Sequence, residues 1–392
     1  MMGGLTRRLA RAAAAASVLA LAMGSAAACS SSGSSGGGSG GGGGSGAFAD
    51  ALKNVHDTAQ TSGTIEFGDT AQLAKLNGGT TPASNGPFAR LVGTGSDQLT
   101  QYASLLPPLT GFDSTTATSA ISLGNPPNQV GVLYGSFDPT AVGAKLAAWG
   151  YHKSDRGGGV TAWVFQDDHQ QDMSKLDANG VGPGMTGWLN VIWVSTSSIA
   201  YGGATSDLAA ALPAQSKPLS GDAVVGALAN CLGTTLIAYV ITDAKQIGTS
   251  GISAIAFGVT ATSASDIREE ICAAAPSASG AQAFATGFSK AVGSGLDYVR
   301  NQPWSTLLSD PQTSVIGGGE HVVRLTAKPV DPQGASLVVS LVEQNDFAGL
   351  LGLPQTLRGG RMVNPNGTLV PISPSDTGPS DSGSDSPSAS SS

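Results

Sequence analysis

Val130-Gly-Val-Leu-Tyr-Gly-Ser-Phe137, followed directly by Asp138-Pro139, is the stretch that decides the fold. Its β-branched and aromatic residues mark a strand. Asp138 is a good N-cap, and Pro139 stands at the first helical position, where its missing N–H costs nothing. Val142, Leu146 and Trp149 then recur at helical spacing, and Gly150 is a natural stop. A strand running straight into a capped helix points to a chain that mixes both kinds of element.

Working outward supports that reading. Upstream, Ala47–His56 reads as a short helix, Gly63–Phe67 as a strand, and Asp69 as the cap of a helix carrying Leu73 and Leu76. Thr80–Pro87 is a loop rich in turn formers, and Phe88–Leu123 reads as short helical pieces. Downstream, Val160–Gln166 and Leu189–Ser195 are strands, which Ile199–Tyr201 extends before a helix over Ser206–Leu212. Strand, helix, strand, strand, helix is the ferredoxin-like order without its final strand. Beyond Pro213–Pro218 a partly similar order returns: helix Val224–Cys231, then strands Thr235–Thr242 and Ile252–Thr260. A helix capped by Ser263 and carrying Ile267 and Ile271 follows, then a helix over Gln282–Val292. Strands over His321–Ala327 and Ala335–Val342 and a helix around Phe347–Leu351 complete it. The expected class is α+β: two consecutive ferredoxin-like or related α/β-sandwich units, 47–213 and 219–356, related as a structural duplication.

Composition narrows the function classes. Charged residues make up only 12% of the 392, the formal net charge is −8, and glycine is abundant at 56 residues. An acidic surface argues against nucleic acid and against electrostatic docking on anionic lipid. After Cys29 the remaining cysteines are Cys231 and Cys272, which in an exported chain are most simply a disulfide pair. No histidine lies near either one in sequence, so a two-cysteine metal site is the lesser reading.

The N-terminal region reads as an address. Arg7, Arg8 and Arg11 form a positive region, and Ala12–Met23 is an apolar one. Small residues then lead through Ala26-Ala27-Ala28 to Cys29, the layout of a secretory signal over 1–28. Residues 30–46 are serine and glycine alone, so 29–46 reads as an anchor cysteine with a flexible tether. Loss of the signal arginines takes the formal net charge from −8 to −11. The ending resembles the lipobox of exported bacterial lipoproteins, although Ala26 stands where that family usually has leucine. The alanine- and glycine-rich wording also looks actinobacterial. The resemblance implies diacylation of Cys29 and attachment to the outer face of the cell membrane; ordinary secretion is the alternative, since Ala26-Ala27-Ala28 also suits simple cleavage. It covers only about the first 46 residues and transfers no active site. Residues 371–392 form a polar tail rich in serine, proline and aspartate.

Chemistry-bearing motifs are few. Asp167-Asp168-His169-Gln-Gln-Asp172 is the one dense cluster of metal-ligand types, but it lacks the glycine that an EF-hand loop requires. It reads first as a solvated loop, with Asp167, Asp168, His169 and Asp172 as weak metal candidates. Tyr134, Trp149, Trp163, Trp188, Trp193 and Tyr201 read as core of the first unit, with Trp163 and Phe165 on one face. Gly157–Gly159 and Gly317–Gly319 each precede a strand and read as turns, since a phosphate loop needs a following helix N-terminus. His56, His152, His169 and His321 are scattered. No cofactor is called for. The expected function is a non-enzymatic, cell-envelope-anchored lipoprotein that binds an extracytoplasmic protein or small molecule, or has a structural role. Its rivals are a hydrolase acting on wall material through dispersed residues and a solute-binding component of a transporter.

Overall fold

The computed structural model describes residues 46–370, apart from 82–85, 171–186, 214–216, 244–246, 248–250, 317–318, 332–336, 345 and 358–360. The signal segment, Cys29, most of the tether, Asp172 and the polar tail lie outside the described residues. Within them the chain is mixed α and β, built on one large antiparallel sheet. Its strands are β1 Thr64–Gly68, β2 Ser119–Leu123, β3 Val130–Tyr134, β4 His152–Gly157, β5 Val160–Val164 and β6 Val191–Val194. They continue with β7 Ser198–Gly202, β8 Ile237–Ile241, β9 Ala254–Ser263, β10 Asp266–Ala274, β11 Leu308–Val315 and β12 Val322–Pro329. Across the sheet the order is β11-β12-β10-β9-β8-β1-β2-β3-β7-β6-β5-β4. The helices are α1 Ala47–Lys53, α2 Ala59–Ser62, α3 Thr70–Leu76, α4 Asp97–Thr100, α5 Leu106–Thr110 and α6 Pro139–Ala148. After them come α7 Thr205–Ala211, α8 Ala223–Leu232, α9 Ala278–Ser294 and α10 Leu337–Gln344. Among the described residues no helix is long and apolar enough to cross a membrane.

Period-two alternation gives every inner strand two faces, and both are buried. On one face Ile65, Phe67, Ile121, Val132, Val240 and Cys272 belong to a core that runs the length of the sheet beneath α1, α7 and α8. Phe48 of α1 meets Phe67 with ring centroids 5.2 Å apart. The other face carries two separate cores. One lies under α5 and α6, with Leu133, Val142, Leu146, Trp163, Phe165 and Tyr201. The second lies under α9 and α10, with Phe257, Ile271, Phe288, Leu325, Val338 and Leu341. The deciding stretch folds as read: Val130–Tyr134 is a strand, the Asp138 carboxylate accepts the N–H groups of Thr140 and Ala141, and α6 buries Val142 and Leu146.

Four expectations need correction. The helix read over Ser263–Ala275 is the strand β10. Ile267 and Ile271 are four apart, which fits a helix face and a strand face equally. The deciding pattern is Ile267, Glu269, Ile271 and Ala273 alternating with Arg268, Glu270, Cys272 and Ala274, paired on both sides. Conversely, the strand read over Ala335–Val342 is the helix α10, which buries Val338 and Leu341 at i, i+3. The helical reading of Phe88–Leu123 fails at its end, where β2 pairs with both β1 and β3. Ile199–Tyr201 is not an extension of the strand before it. It lies in β7, which turns back through Ser195, whose hydroxyl accepts the N–H of Ser197 and of Ser198. The edge strands β4 and β11 carry almost no apolar residues on view, so periodicity does not announce them.

Candidate functional site

The cluster at Asp167–His169 does structural work. The Asp168 carboxylate accepts the backbone N–H groups of Thr205 (2.7 Å) and Ser206 (3.2 Å) and the Ser206 hydroxyl (3.1 Å). It thereby caps α7 from a distant loop, because Ala204 at the N-cap position has no side-chain acceptor. Burial raises the Asp168 pKa, but these hydrogen bonds outweigh it and hold the carboxyl below its ordinary value. His169, with φ of 58°, places Nε2 at 3.5 Å from Oδ2 of the buried Asp207. Burial raises the Asp207 pKa against the opposing effect of His169. Asn190 ties the loop down: its Oδ1 accepts the Gln166 N–H, and its Nδ2 reaches the carbonyls of Gln166, Asp167 and Gly203. Asp167 itself is exposed.

Cys231 and Cys272 are bonded, with Cα atoms 6.1 Å apart. The bridge ties α8 to strand β10 instead of to a second helix. The Glu270 carboxylate lies close by, so Cys231, Glu270 and Cys272 are the group of potential metal ligands found among the described residues. Both sulfurs are spent in the disulfide there. Of the six clustered aromatics, Trp163, Trp193 and Tyr201 are buried, whereas Tyr134, Trp149 and Trp188 are partly exposed. Trp163 and Phe165 share a core as the alternation required. Trp193 faces the opposite side of the sheet under the Arg156 guanidinium, 3.7 Å from its ring centroid.

The strongest candidate site has no sequence signature. Helix α9 is capped by the Ser277 hydroxyl on the Gly280 N–H and buries Ala281, Phe284, Phe288 and Val292 against the sheet. Its other face, from Ser279 to Lys290, floors an open groove of about 450 Å³. At 1.5 Å per residue that run is roughly 18 Å long. The rest of its lining includes Gly349 of the 3₁₀ turn Ala348–Leu351, Gly352 and Gln355, together with Leu296 and Trp304. Helix and wall touch backbone to backbone: a Cβ on Gly287 would come within 2.4 Å of the Leu351 carbonyl oxygen. The lining is largely apolar or neutral polar, and among the described residues Lys290 is its one charged residue.

A buried polar network holds that wall. Gln355 donates to Asp346 Oδ1 (3.0 Å) and accepts the Tyr298 N–H (3.1 Å). Arg300 bridges Asp346 and Asp297, and the Asp297 carboxylate also takes the N–H groups of Val299 and Arg300. Burial and then the nearby Asp297 push the Asp346 pKa up to about 6, with Arg300 opposing. Two further buried acids belong to β10. Glu269 accepts the N–H groups of Leu337 and Val338 at the start of α10, and Glu270 is paired with Arg324. Burial pushes each up to about 7. The signal for both was an acidic pair inside the apolar run Ile267–Ala275, where on a doubly buried strand each carboxylate must find a partner.

No family model matches the chain, and no curated protein matches it. Among solved structures it is similar to crystal form IV of TP0453, with a TM-score of 0.33 and 10% identity over 71% of this chain and 93% of that chain. Crystal form I of TP0453 gives a TM-score of 0.29 and 10% identity, over 72% of this chain and 94% of that one.

Proposed function

We propose that the chain is a cell-envelope lipoprotein, acylated at Cys29, that acts as a non-enzymatic binding module. The observation that carries the binding role is the groove along α9. Its wall is fixed by buried hydrogen bonds, and its lining among the described residues is largely apolar or neutral polar. Small-molecule and peptide sites are commonly concave, largely apolar and preformed. The anchoring part rests on the lipobox-like approach to Cys29 and on the serine–glycine tether behind it. About 17 such residues span roughly 20–25 Å r.m.s., enough to lift the folded part clear of head groups.

We further read the sheet as a duplication of two related α/β-sandwich units. Outward from the β1–β8 pair, each side runs through a three-strand meander, β1-β2-β3 or β8-β9-β10. A helix then crosses over to the outer edge, α6 or α9, and the chain works back inward to the third strand, through β4-β5-β6-β7 on one side and β11-β12 on the other.

Two measurements test the proposal. The mass of the mature N-terminal peptide should show a diacylated Cys29, and Cys29→Ser should release the chain from the detergent phase; an unmodified N-terminus in the medium refutes anchoring. A photocrosslinker at Gln282, in the groove, should give discrete adducts on intact cells. The same group at exposed Lys53 should not, and equal labelling at the two positions refutes the groove as the binding surface.

A further inference from the structure

Of the polar side chains in the groove lining, Ser279, Gln282, Thr286 and Lys290 are exposed, whereas Gln355 is only 3% exposed. Its amide lies against Gly349, also in the lining, where a Cβ would come within 2.5 Å of Nε2. Two hydrogen bonds fix that amide. Oε1 accepts the Tyr298 N–H at 3.1 Å, and Nε2 donates to Asp346 Oδ1 at 3.0 Å. The orientation is forced, because a backbone N–H can only donate. Nε2 is left for Asp346, which must accept. The other carboxylate oxygen, Oδ2, faces the Arg300 guanidinium, again a pure donor. Both oxygens of the buried Asp346 therefore meet donors, and the set is satisfied only while that carboxylate is ionised.

We propose that Asp346 is a proton-sensitive anchor for the groove wall: ionised, it holds Gln355 against Gly349, and protonated, it releases Gln355. The proton has two places to go. On Oδ2 it would confront Arg300, whose charge-assisted bond is the stronger and which also holds Asp297 and Gln344. On Oδ1 it confronts only the neutral Gln355 amide, and it settles there. The amide then loses Asp346, or turns over to accept from it and sets Nε2 against the Tyr298 N–H. Either way one of its two bonds is lost. The anchor stands on these hydrogen bonds, while its effect on binding rests on the reading of the groove given above.

Among the described residues, the charged groups facing Asp346 are Asp297 and Arg300. Helix α10 adds the neutral Gln344 and the exposed Glu343, and the turn Ala348–Leu351 adds no titratable group. Lys290 of α9 is exposed in the groove lining. Burial and then Asp297 raise the Asp346 pKa from 3.8 to about 6, against Arg300 and Gln355. Release therefore falls in mild acid. Between pH 7.5 and pH 5 the ionised fraction drops about 10-fold. An acid raised in this way favours the folded chain below pH 3.8 and loses that contribution as pH climbs through 6. For this group, then, acid loosens the wall without destabilising the fold.

The chain has six tyrosines, so isotope labelling of tyrosine amide nitrogen in the full chain gives a simple spectrum, with Tyr298 assigned through Tyr298→Phe. The Tyr298 amide signal should move with a midpoint near pH 6. Asp346→Asn should abolish that step, and so should Gln355→Met, which leaves Asp346 able to titrate. A Tyr298 signal that stays still through this range overturns the anchor, as does an equal step in Gln355→Met. If Asp346→Asn fails to fold, the parent and Gln355→Met decide. Binding is read separately: the photocrosslinker at Gln282 should give up to about 10-fold fewer adducts at pH 5 than at pH 7.5. A titrating Tyr298 with no adducts at either pH supports the anchor and refutes the groove as the binding surface. A titrating Tyr298 with equal adducts at both overturns the control of binding by Asp346.

Discussion

Replacing Cys231 and Cys272 together by alanine changes little on the surface, because the two residues are only 2% and 0% exposed between α8 and β10. The main change is in the unfolded chain, which regains the freedom of a loop closed over 41 residues. In the chain-entropy account that freedom is worth about 4 kcal/mol at 25 °C. A folded part of roughly 325 residues unfolds with an entropy near 0.7 kcal/mol/K, so the melting temperature should fall by about 6 °C. Calorimetry of the oxidised parent and the double variant measures this directly. Burial of both sulfurs adds a second readout: a dithiol reductant should act slowly on the native chain and much faster in denaturant. A melting shift below 1 °C, with the parent's bond confirmed by mass, would refute the unfolded-state account. Two free thiols in exported material would refute the bond itself.

Glu270 lies buried against Arg324, and burial raises its pKa from 4.5 to about 7. An acid raised in this way contributes its full stability below pH 4.5 and loses it as pH climbs through 7, by up to about 3 kcal/mol. Denaturant midpoints of the parent should therefore fall between pH 4.5 and 7.5, and Glu270→Gln should make the decline shallower, with Glu269 keeping its own share; parallel curves would count against the assignment. Asp168→Ala removes the side-chain cap that Asp168 gives α7 and should cost about 1 kcal/mol in urea titrations, whereas Asp168→Asn keeps an acceptor and should cost less. Loss of bound metal without loss of stability would restore the metal reading of that loop.

The parts of the fold that were legible are those where one local rule stands alone. Asp138-Pro139 specifies a helix start whatever surrounds it, and Asp69 acts likewise. The Ile267–Ala275 run was not legible, because spacing of four satisfies both periods; only the neighbours β9 and β12 settle it. Leu337–Val342 failed in the opposite direction. Its β-branched residues favour a strand, but two buried positions and the Glu269 cap make it a helix. Of the sites, the disulfide could be read from the cysteine count and the export-like N-terminal region. The groove could not, since it is made by glycines, a 3₁₀ turn and a helix face distant in sequence. Nor could the sequence show that Asp168 would reach a helix 37 residues on.

Acids inside a core are normally selected against, because each must be desolvated and then answered by hydrogen bonds. Among the described residues the buried ones are Asp207, Glu269, Glu270, Asp297 and Asp346. Four of these five belong to the second half of the chain, and three of them, Glu269, Asp297 and Asp346, lie around α9 and α10. The same half carries the cross-link, whose bond anchors β10 next to Glu270 and three residues from Glu269. A strand that bears two ionisable residues in its middle is a weak point in a sheet, and a covalent tie to α8 offsets that weakness. Natural chains tend to break local rules where function requires it. Here the exceptions fall on both faces: Glu269, Asp297 and Asp346 lie in the layer that holds the groove and α10, whereas Asp207, Glu270 and the cross-link belong to the face under α7 and α8.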